Sequence, residues 1–397
     1  MKSWFRDTFI VIIYIISSLF FLCRGLYIPL IPLLIEDVSS SLAYVGFASS
    51  LLSISLTLSQ YLWGLLSDYF ARRKLFLLIG LSSLISALFL MAFIRNVLIL
   101  CILRAIEGIG SAAFLTLAPS LLGDYIERSN IRVGKNIGIF RMLGSLGFAT
   151  SCLIMYFLLS FKEIMYREVF LSSSFILFLS LLLLLPLEDV YKVKSHKDMS
   201  INREKYDYRI HYIFFFEVLL WSMSFMTVTS IWPNFVKRIG YESKHVYLLW
   251  SIAAYGEVPL MFLSGIVFDK LGYGILLRLS AISLTVTFIL YYSSSSFAIL
   301  SFAQLFRSIA YSFFEISTLS YASSSVMFKR RGRLIGLRNV FINVGWSIGS
   351  LLGGLLAELL GMKNAMLLFS LIPLSTLLPY IILKNSFIKG SCLSKKG

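Results

Sequence analysis

Eight ionisable side chains stand inside otherwise apolar stretches of this chain: Arg24, Arg104, Glu107, Arg141, Glu217, Glu257, Arg307 and Glu315. The chemistry open to such groups is narrow. A carboxylate in an apolar setting holds or releases a proton according to its neighbours, because desolvation favours the neutral form and a nearby guanidinium the charged one. A charge at the centre of a membrane-spanning helix costs about 2.5–3.5 kcal/mol even on the mild insertion scale. Eight of them, four of each sign, therefore imply a shared polar interior; the plainer alternative is ion pairing that fixes helix register. Arg104 and Glu107 are three residues apart, on one helical face, and with Arg24 are expected to form a cluster near mid-membrane. Glu257 and Arg307 have comparable depth and are expected to pair, whereas Glu217 and Glu315 lie deeper toward the cytoplasm. Glu257 and Glu315 are the leading candidates for proton coupling.

The elements that must position these groups follow from composition. Of 397 residues, 58% are hydrophobic and 14% charged, and the mean hydropathy is +0.84; in soluble domains about a quarter are charged. A stretch of about 20 apolar residues crosses a roughly 30 Å hydrocarbon layer as a helix, which satisfies its own backbone there. Twelve such spans are predicted, at about 8–34, 42–66, 75–94, 97–122, 136–160, 169–187, 210–236, 246–266, 274–292, 297–324, 336–360 and 364–384. The first is too long to read as a removable signal peptide. The polar interruption 188–209 divides the chain into residues 1–187 and 210–397, two blocks of six helices in parallel orientation with 188–209 as a cytoplasmic linker.

The net charge of +16 is a topology signal. Loops on the side of the N-terminus carry about three times the Lys and Arg of the opposite loops, which places both termini in the cytoplasm and favours anionic lipid as a neighbour. Nucleic acid is not an expected partner, since no basic region accompanies a soluble reading fold. Cys23, Cys101 and Cys152 lie in apolar spans and Cys392 in the tail, without a CxxC, and the three histidines avoid the span centres; neither metal nor cofactor is expected. Gly345-Trp-Ser347-Ile-Gly349 matches a nucleophile elbow but lacks its strand–turn–helix context, and no phosphate-cradling P-loop is present. An enzyme is not expected. Gly345, Gly349 and Gly353, with Gly144, Gly147 and Gly108, read as close-packing positions. Tyr27, Tyr61, Trp63, Tyr255, Tyr311 and Phe314 are candidates to line a cavity.

Two patterns recur. The turn Gly64-Leu-Leu-Ser-Asp68-Tyr-Phe-Ala-Arg72-Arg73-Lys74 has a degraded copy, Gly265-Ile-Val-Phe-Asp269-Lys270-Leu-Gly272. Gly134-Lys-Asn-Ile-Gly138-Ile recurs as Gly332-Arg-Leu-Ile-Gly336-Leu, each opening the fifth helix of its block. Both offsets, 201 and 198 residues, agree with a duplication of six helices.

The turn Gly64…Asp68…Arg72-Arg73-Lys74 resembles the signature loop between helices 2 and 3 of the major facilitator superfamily, and Leu103-Arg104-Ala-Ile-Glu107-Gly108-Ile-Gly110 is similar to that family's helix 4 motif. Tyr69 stands where the family has a cation, and Ala71 where it has glycine. The resemblance implies an all-α membrane protein with twelve transmembrane helices in two pseudo-symmetric six-helix bundles. It also implies a central cavity and alternating access, without a cofactor. Asp68 would lock the cytoplasmic side against Arg338, and Asp269 would meet Arg141, so that Gly64, Asp68, Arg72, Arg73, Arg141, Asp269 and Arg338 form a cytoplasmic gate. Arg141-Met-Leu-Gly144 and Glu257 are similar to lactose-permease-like proton symporters, whereas the Arg104 motif is commoner among exporters. A secondary transporter of a small solute in the cell membrane, coupled to protons, monomeric and leaning toward symport, is expected. The alternatives are a drug–proton antiporter and a nontransporting receptor with a transporter fold, which would have lost several of these buried charges.

Overall fold

In a computed structural model, residues 2–128, 133–161, 166–189, 208–294, 296–324 and 331–377 are described, and all regular structure among them is helical. The helices are α1 (Lys2–Tyr27), α2 (Ile31–Ser39), α3 (Leu42–Tyr69), α4 (Arg73–Met91), α5 (Val97–Arg128), α6 (Val133–Phe161), α7 (Tyr166–Leu184), α8 (Tyr208–Thr229), α9 (Trp232–Arg238), α10 (Ser243–Tyr292), α11 (Phe297–Ser324), α12 (Arg331–Leu360) and α13 (Met362–Ser370). Among the described residues, ten helical stretches are long and apolar enough to cross a membrane.

Two breaks matter for the site. The first span is interrupted at Ile28-Pro29 and continues as α2 from Ile31-Pro32, while α8 is interrupted before Trp232-Pro233 and continues as α9. Proline suits the first turn of a helix, where its missing N–H is not needed. The two breaks are thus counterparts in the two blocks. Helix α10 has 50 residues, about 75 Å at 1.5 Å per residue, far more than one crossing needs. It is two helices meeting at Gly272, whose φ of +75° a side chain would resist. The expected loop 267–273 is therefore this single kink. The expected twelfth span begins as α13 and a 3-10 turn, Pro373–Leu377; its remainder, most of the linker 188–209, and the tail lie outside the described residues. Both copies of the Gly-x-x-x-Gly repeat lie at the starts of α6 and α12.

Close packing follows the glycines. A Cβ on Gly345, Gly349 or Gly353 of α12 would fall 2.7, 2.1 or 2.2 Å from the carbonyl oxygens of Leu219, Met223 and Thr227 on α8. The four-residue period on both helices gives a backbone-to-backbone seam. Between the halves of the chain, α3 packs on α12 and α6 on α10. Gly46 and Gly354 meet at the end of the α3–α12 seam remote from the Gly64–Lys74 turn. At the turn end, a Cβ on Gly64, Gly265 or Gly336 would meet nothing within 4 Å, and Tyr61, Leu62 and Leu65 are exposed. The halves are closed together at the far end and splayed at the turn end.

Candidate functional site

Helix α11 carries Arg307, Tyr311 and Glu315 at i, i+4 and i+8, one above the other on a single face. Arg307 Nη1 is 3.9 Å from Glu257 Oε1 of α10, so the expected pair forms at ion-pair but not hydrogen-bond distance. Its guanidinium lies against the rings of Phe225 and Trp250, 5.4 and 5.8 Å from their centroids. Tyr311 is within electrostatic reach of Glu257, Glu315, Arg338 and Arg141. Glu315 is the junction: Arg338 of α12 donates to Oε2, and Arg141 of α6 stands 3.6 Å from Oε1. Arg338 is only 2% exposed and also donates to Thr318 Oγ1 at 2.8 Å and Asn339 Oδ1 at 3.1 Å. Because α6 belongs to the other half of the chain, Arg141 makes this network a bridge across the interior. Nearby, Asn343 donates to Gln60 Oε1 at 3.3 Å, Thr150 and Tyr255 hydroxyls are 3.2 Å apart, and Phe148 stacks on Trp250.

The mid-membrane cluster of the first half has one member changed. Arg104 is ion-paired with Glu107 within α5, and the remaining oxygen of Glu107 accepts from Tyr27 at 2.9 Å. With both oxygens occupied, Arg24 is left out. It is half-buried, its guanidinium 5.7 Å from the centre of the Phe20 ring. Glu217, 6% exposed, stands apart from the α11 ladder and accepts from Tyr273 at 2.6 Å, the residue after the Gly272 kink. Among the other aromatic candidates, Tyr61 is exposed, Trp63 donates to the Ile109 carbonyl and Phe314 stacks on Trp221.

The gate residues are placed differently from expectation. Asp68 is 3.5 Å from Arg73, which also pairs with Asp124 at 2.5 Å, so the turn is closed within its own half. Arg72 is exposed, its backbone N–H bonded to the Ser67 carbonyl. Ala71 adopts φ +54°, the left-handed conformation for which the family uses glycine. Neither Asp68–Arg338 nor Asp269–Arg141 forms. Both arginines are engaged by Glu315, and Asp269 is exposed. The physical reason is the splay at this end, which separates the partners.

A latch that sequence reasoning missed closes the far end. Glu36 and Asp37 of α2 face α9: Arg238 Nε donates to Glu36 Oε1 at 2.9 Å, Asn234 donates to Glu36 Oε2 at 2.6 Å and to the Pro32 carbonyl at 2.9 Å, and Lys237 is 3.3 Å from Asp37. Glu358 at the end of α12 accepts from Ser41 Oγ at 2.5 Å and the Ala43 N–H at 2.7 Å, a carboxylate at the N-terminus of α3 where the helix dipole favours it. The signal was present: Pro32 and Pro233, like Asp37 and Arg238, are separated by the same 201 residues as the two Asp turns.

Apolar helices closed at one end and parted at the other around a charged interior are the architecture of a membrane transporter. The chain belongs to the Major Facilitator Superfamily, whose family model matches residues 13–293 and 214–388. An uncharacterized MFS-type transporter of Methanocaldococcus jannaschii is 25% identical over 358 residues, 86% of this chain and 89% of that one. A multi-drug resistance efflux pump of Streptococcus pneumoniae is 25% identical over 259 residues, 63% of this chain and 59% of its own. The solved nucleoside transporter NupG superposes with a TM-score of 0.79 at 17% identity, covering 95% of this chain and 99% of that one. A D-xylose-proton symporter gives 0.74 at 15%, covering 94% and 96%. At these identities the likeness to solved structures shows the fold alone.

Proposed function

We propose that the protein is a secondary active transporter that moves a small solute across the cytoplasmic membrane by alternating access, coupled to protons in the symport direction. The observation that carries the reading is the Arg141–Glu315–Arg338 bridge between halves that are latched at one end and parted at the other. The positive-inside asymmetry assigns the parted end to the cytoplasm, so this is an inward-open state. Residues 1–187 and 210–397 then move as two bodies about the interior, joined by the linker 188–209.

Glu315 gives the motion its coupling. Ionised, it holds Arg141 and Arg338; protonated, it loses its charge and with it most of its attraction for both. Arg338 is then free to meet Asp68 and Arg141 to meet Asp269 when the cytoplasmic ends close. One proton thus exchanges a central bridge for two peripheral ones. The likeness of Arg141-Met-Leu-Gly144 and of Glu257 to lactose-permease-like proton symporters supports the symport reading. The Streptococcus pneumoniae efflux pump supports the second reading, proton-driven export, in which the same exchange runs in antiport.

The test is solute flux into proteoliposomes under an imposed pH gradient, with sugars, peptides, nucleosides and cationic drugs offered in turn. Accumulation that follows the proton gradient supports symport, and accumulation against it supports export. Proton leakage unaccompanied by movement of any solute would overturn the coupled mechanism.

A further inference from the structure

Where α9 ends beside the junction of α12 and α13, a cleft of about 270 Å³ opens at the far end of the second half. One water molecule needs only about 10–15 Å³. Phe235 and Met362, both buried, and the half-exposed Leu360 form its apolar walls, and Arg238, Lys363 and Asn364 supply its polar groups. The cleft is thus lined by two cations and no carboxylate. The acids nearby are engaged elsewhere: Asp37 is held by Lys237 and Tyr166, and Glu358 by Ser41 and the Ala43 N–H. Glu36 takes Nε and Nη2 of Arg238, which leaves the Nη1 edge of a guanidinium with five N–H donors. Lys363 is exposed and makes no ion pair with a described residue.

The rim of the cleft runs into the outward-facing apolar surface. Leu359 and Leu360, the last two residues of α12, are 77% and 50% exposed. A small hydrophilic anion would gain nothing from these walls. A molecule with a phosphate at the level of the two cations and methylenes against Leu360 uses both. Arginine and lysine at the ends of spanning helices reach the head-group level of a bilayer, and phosphate suits the planar fork of arginine. The Asn364 amide is turned back onto the Leu360 carbonyl at 2.9 Å, so charge selection falls to Arg238 and Lys363.

We infer that this cleft seats an anionic phospholipid of the leaflet at the far end, with its phosphate between Arg238 and Lys363 and its first methylenes against Leu360. The inference requires that the protein lie in a membrane, not that it transport. Arg238 then serves two partners on its two edges, Glu36 of the first half and the lipid phosphate. The charge of Glu36 offsets part of the attraction that Arg238 exerts on the lipid.

The test is native mass spectrometry of the purified full-length protein, released from detergent after incubation with equal amounts of phosphatidylglycerol and phosphatidylcholine. The wild type is expected to retain phosphatidylglycerol in preference. Because the chain carries a net charge of +16, the position of the effect decides. Lys363→Gln should weaken the tightest phosphatidylglycerol about fivefold, the scale of one cation beside an anionic head group. Lys270→Gln, the same loss of charge at an exposed position of the parted end, should leave it unchanged. Glu36→Gln should have the opposite sign and tighten the lipid, a result that a general loss of folding cannot imitate. Glycerol 3-phosphate, a head group without tails, should not raise the melting temperature, whereas phosphatidylglycerol should. An equal rise with both would show a site for free phosphate and overturn the choice of lipid. Equal retention of the two lipids, equal losses in Lys363→Gln and Lys270→Gln, or weaker binding in Glu36→Gln would overturn the inference.

Discussion

The Cα of Gly354 on α12 lies 2.8 Å from the point where a Cβ on Gly46 of α3 would stand, and the Ser350 carbonyl oxygen lies 2.3 Å from it. At this crossing the backbones of the two halves touch with no side chain between them, and it is adjacent to the Glu358 cap on α3. Neither helix can accept a methyl group there while the far end is closed.

Gly46→Val is therefore expected to hold the far end open. The variant should reach the membrane, because the three atoms nearest to a Cβ at Gly46 all belong to the other half, yet turnover should fall to near background. A cysteine introduced at Leu42, buried in the closed state at 2% exposure, should become reactive to an external thiol reagent in the variant and stay protected in the parent. Unchanged protection would show that this contact does not govern closure.

Replacing Glu315 by glutamine should abolish gradient-driven accumulation while sparing exchange of solute across the membrane. The neutral amide mimics the protonated state and removes the coupling without blocking the motion. Glu257→Gln should do the same if it also carries a proton. The comparison to make is net accumulation against counterflow in the same proteoliposomes, and full accumulation would remove that residue from the mechanism.

The Arg104–Glu107–Tyr27 cluster should behave as structure. Tyr27→Phe removes one acceptor bond and should cost about 1 kcal/mol, the usual net value of a hydrogen bond, or somewhat more because the acceptor is charged. Arg104→Ala leaves an uncompensated buried carboxylate, and should cost about 3–5 kcal/mol, read as a large fall in melting temperature. A double variant, Arg104→Met with Glu107→Leu, should recover much of that stability.

Ala71→Gly is predicted to stabilise. The left-handed φ at Ala71 costs an L-residue about 1–2 kcal/mol; glycine relieves it at an entropic cost of about 0.5–1 kcal/mol. A net gain of up to about 1 kcal/mol should appear as a modest rise in melting temperature with transport retained, and a fall would contradict the account.

The far-end latch invites a double-variant cycle. Arg238 is half exposed and Glu36 is 17% exposed, so coupling between Glu36→Gln and Arg238→Gln should be small, under about 1 kcal/mol. Asn234→Ala should cost more, since Asn234 is fully buried and serves both the Glu36 carboxylate and the Pro32 carbonyl.

Much of this molecule was decided by local rules. The apolar stretches had to be helices, because lipid offers no partner to a bare peptide group. The four-residue glycine period marked α12 as a close-packing face, while its partner, α8, was decided by the fold. Arg104–Glu107 was legible because three residues on a helix always bring two side chains to one face. Partners on different helices were not legible in this way, since span edges fix depth only to within a turn and say nothing about rotation. Tyr27 thus displaced Arg24 at Glu107, and Glu315 took both arginines assigned to the two aspartates. On the alternating-access reading proposed above, the gate pairs depend on which end of the molecule is open, a choice between two packings of the same helices. Sequence supplies the charges for both packings; only the folded arrangement, through Gly46 against Gly354 and Glu36 against Arg238, selects the one in which Asp68 and Arg338 stand apart.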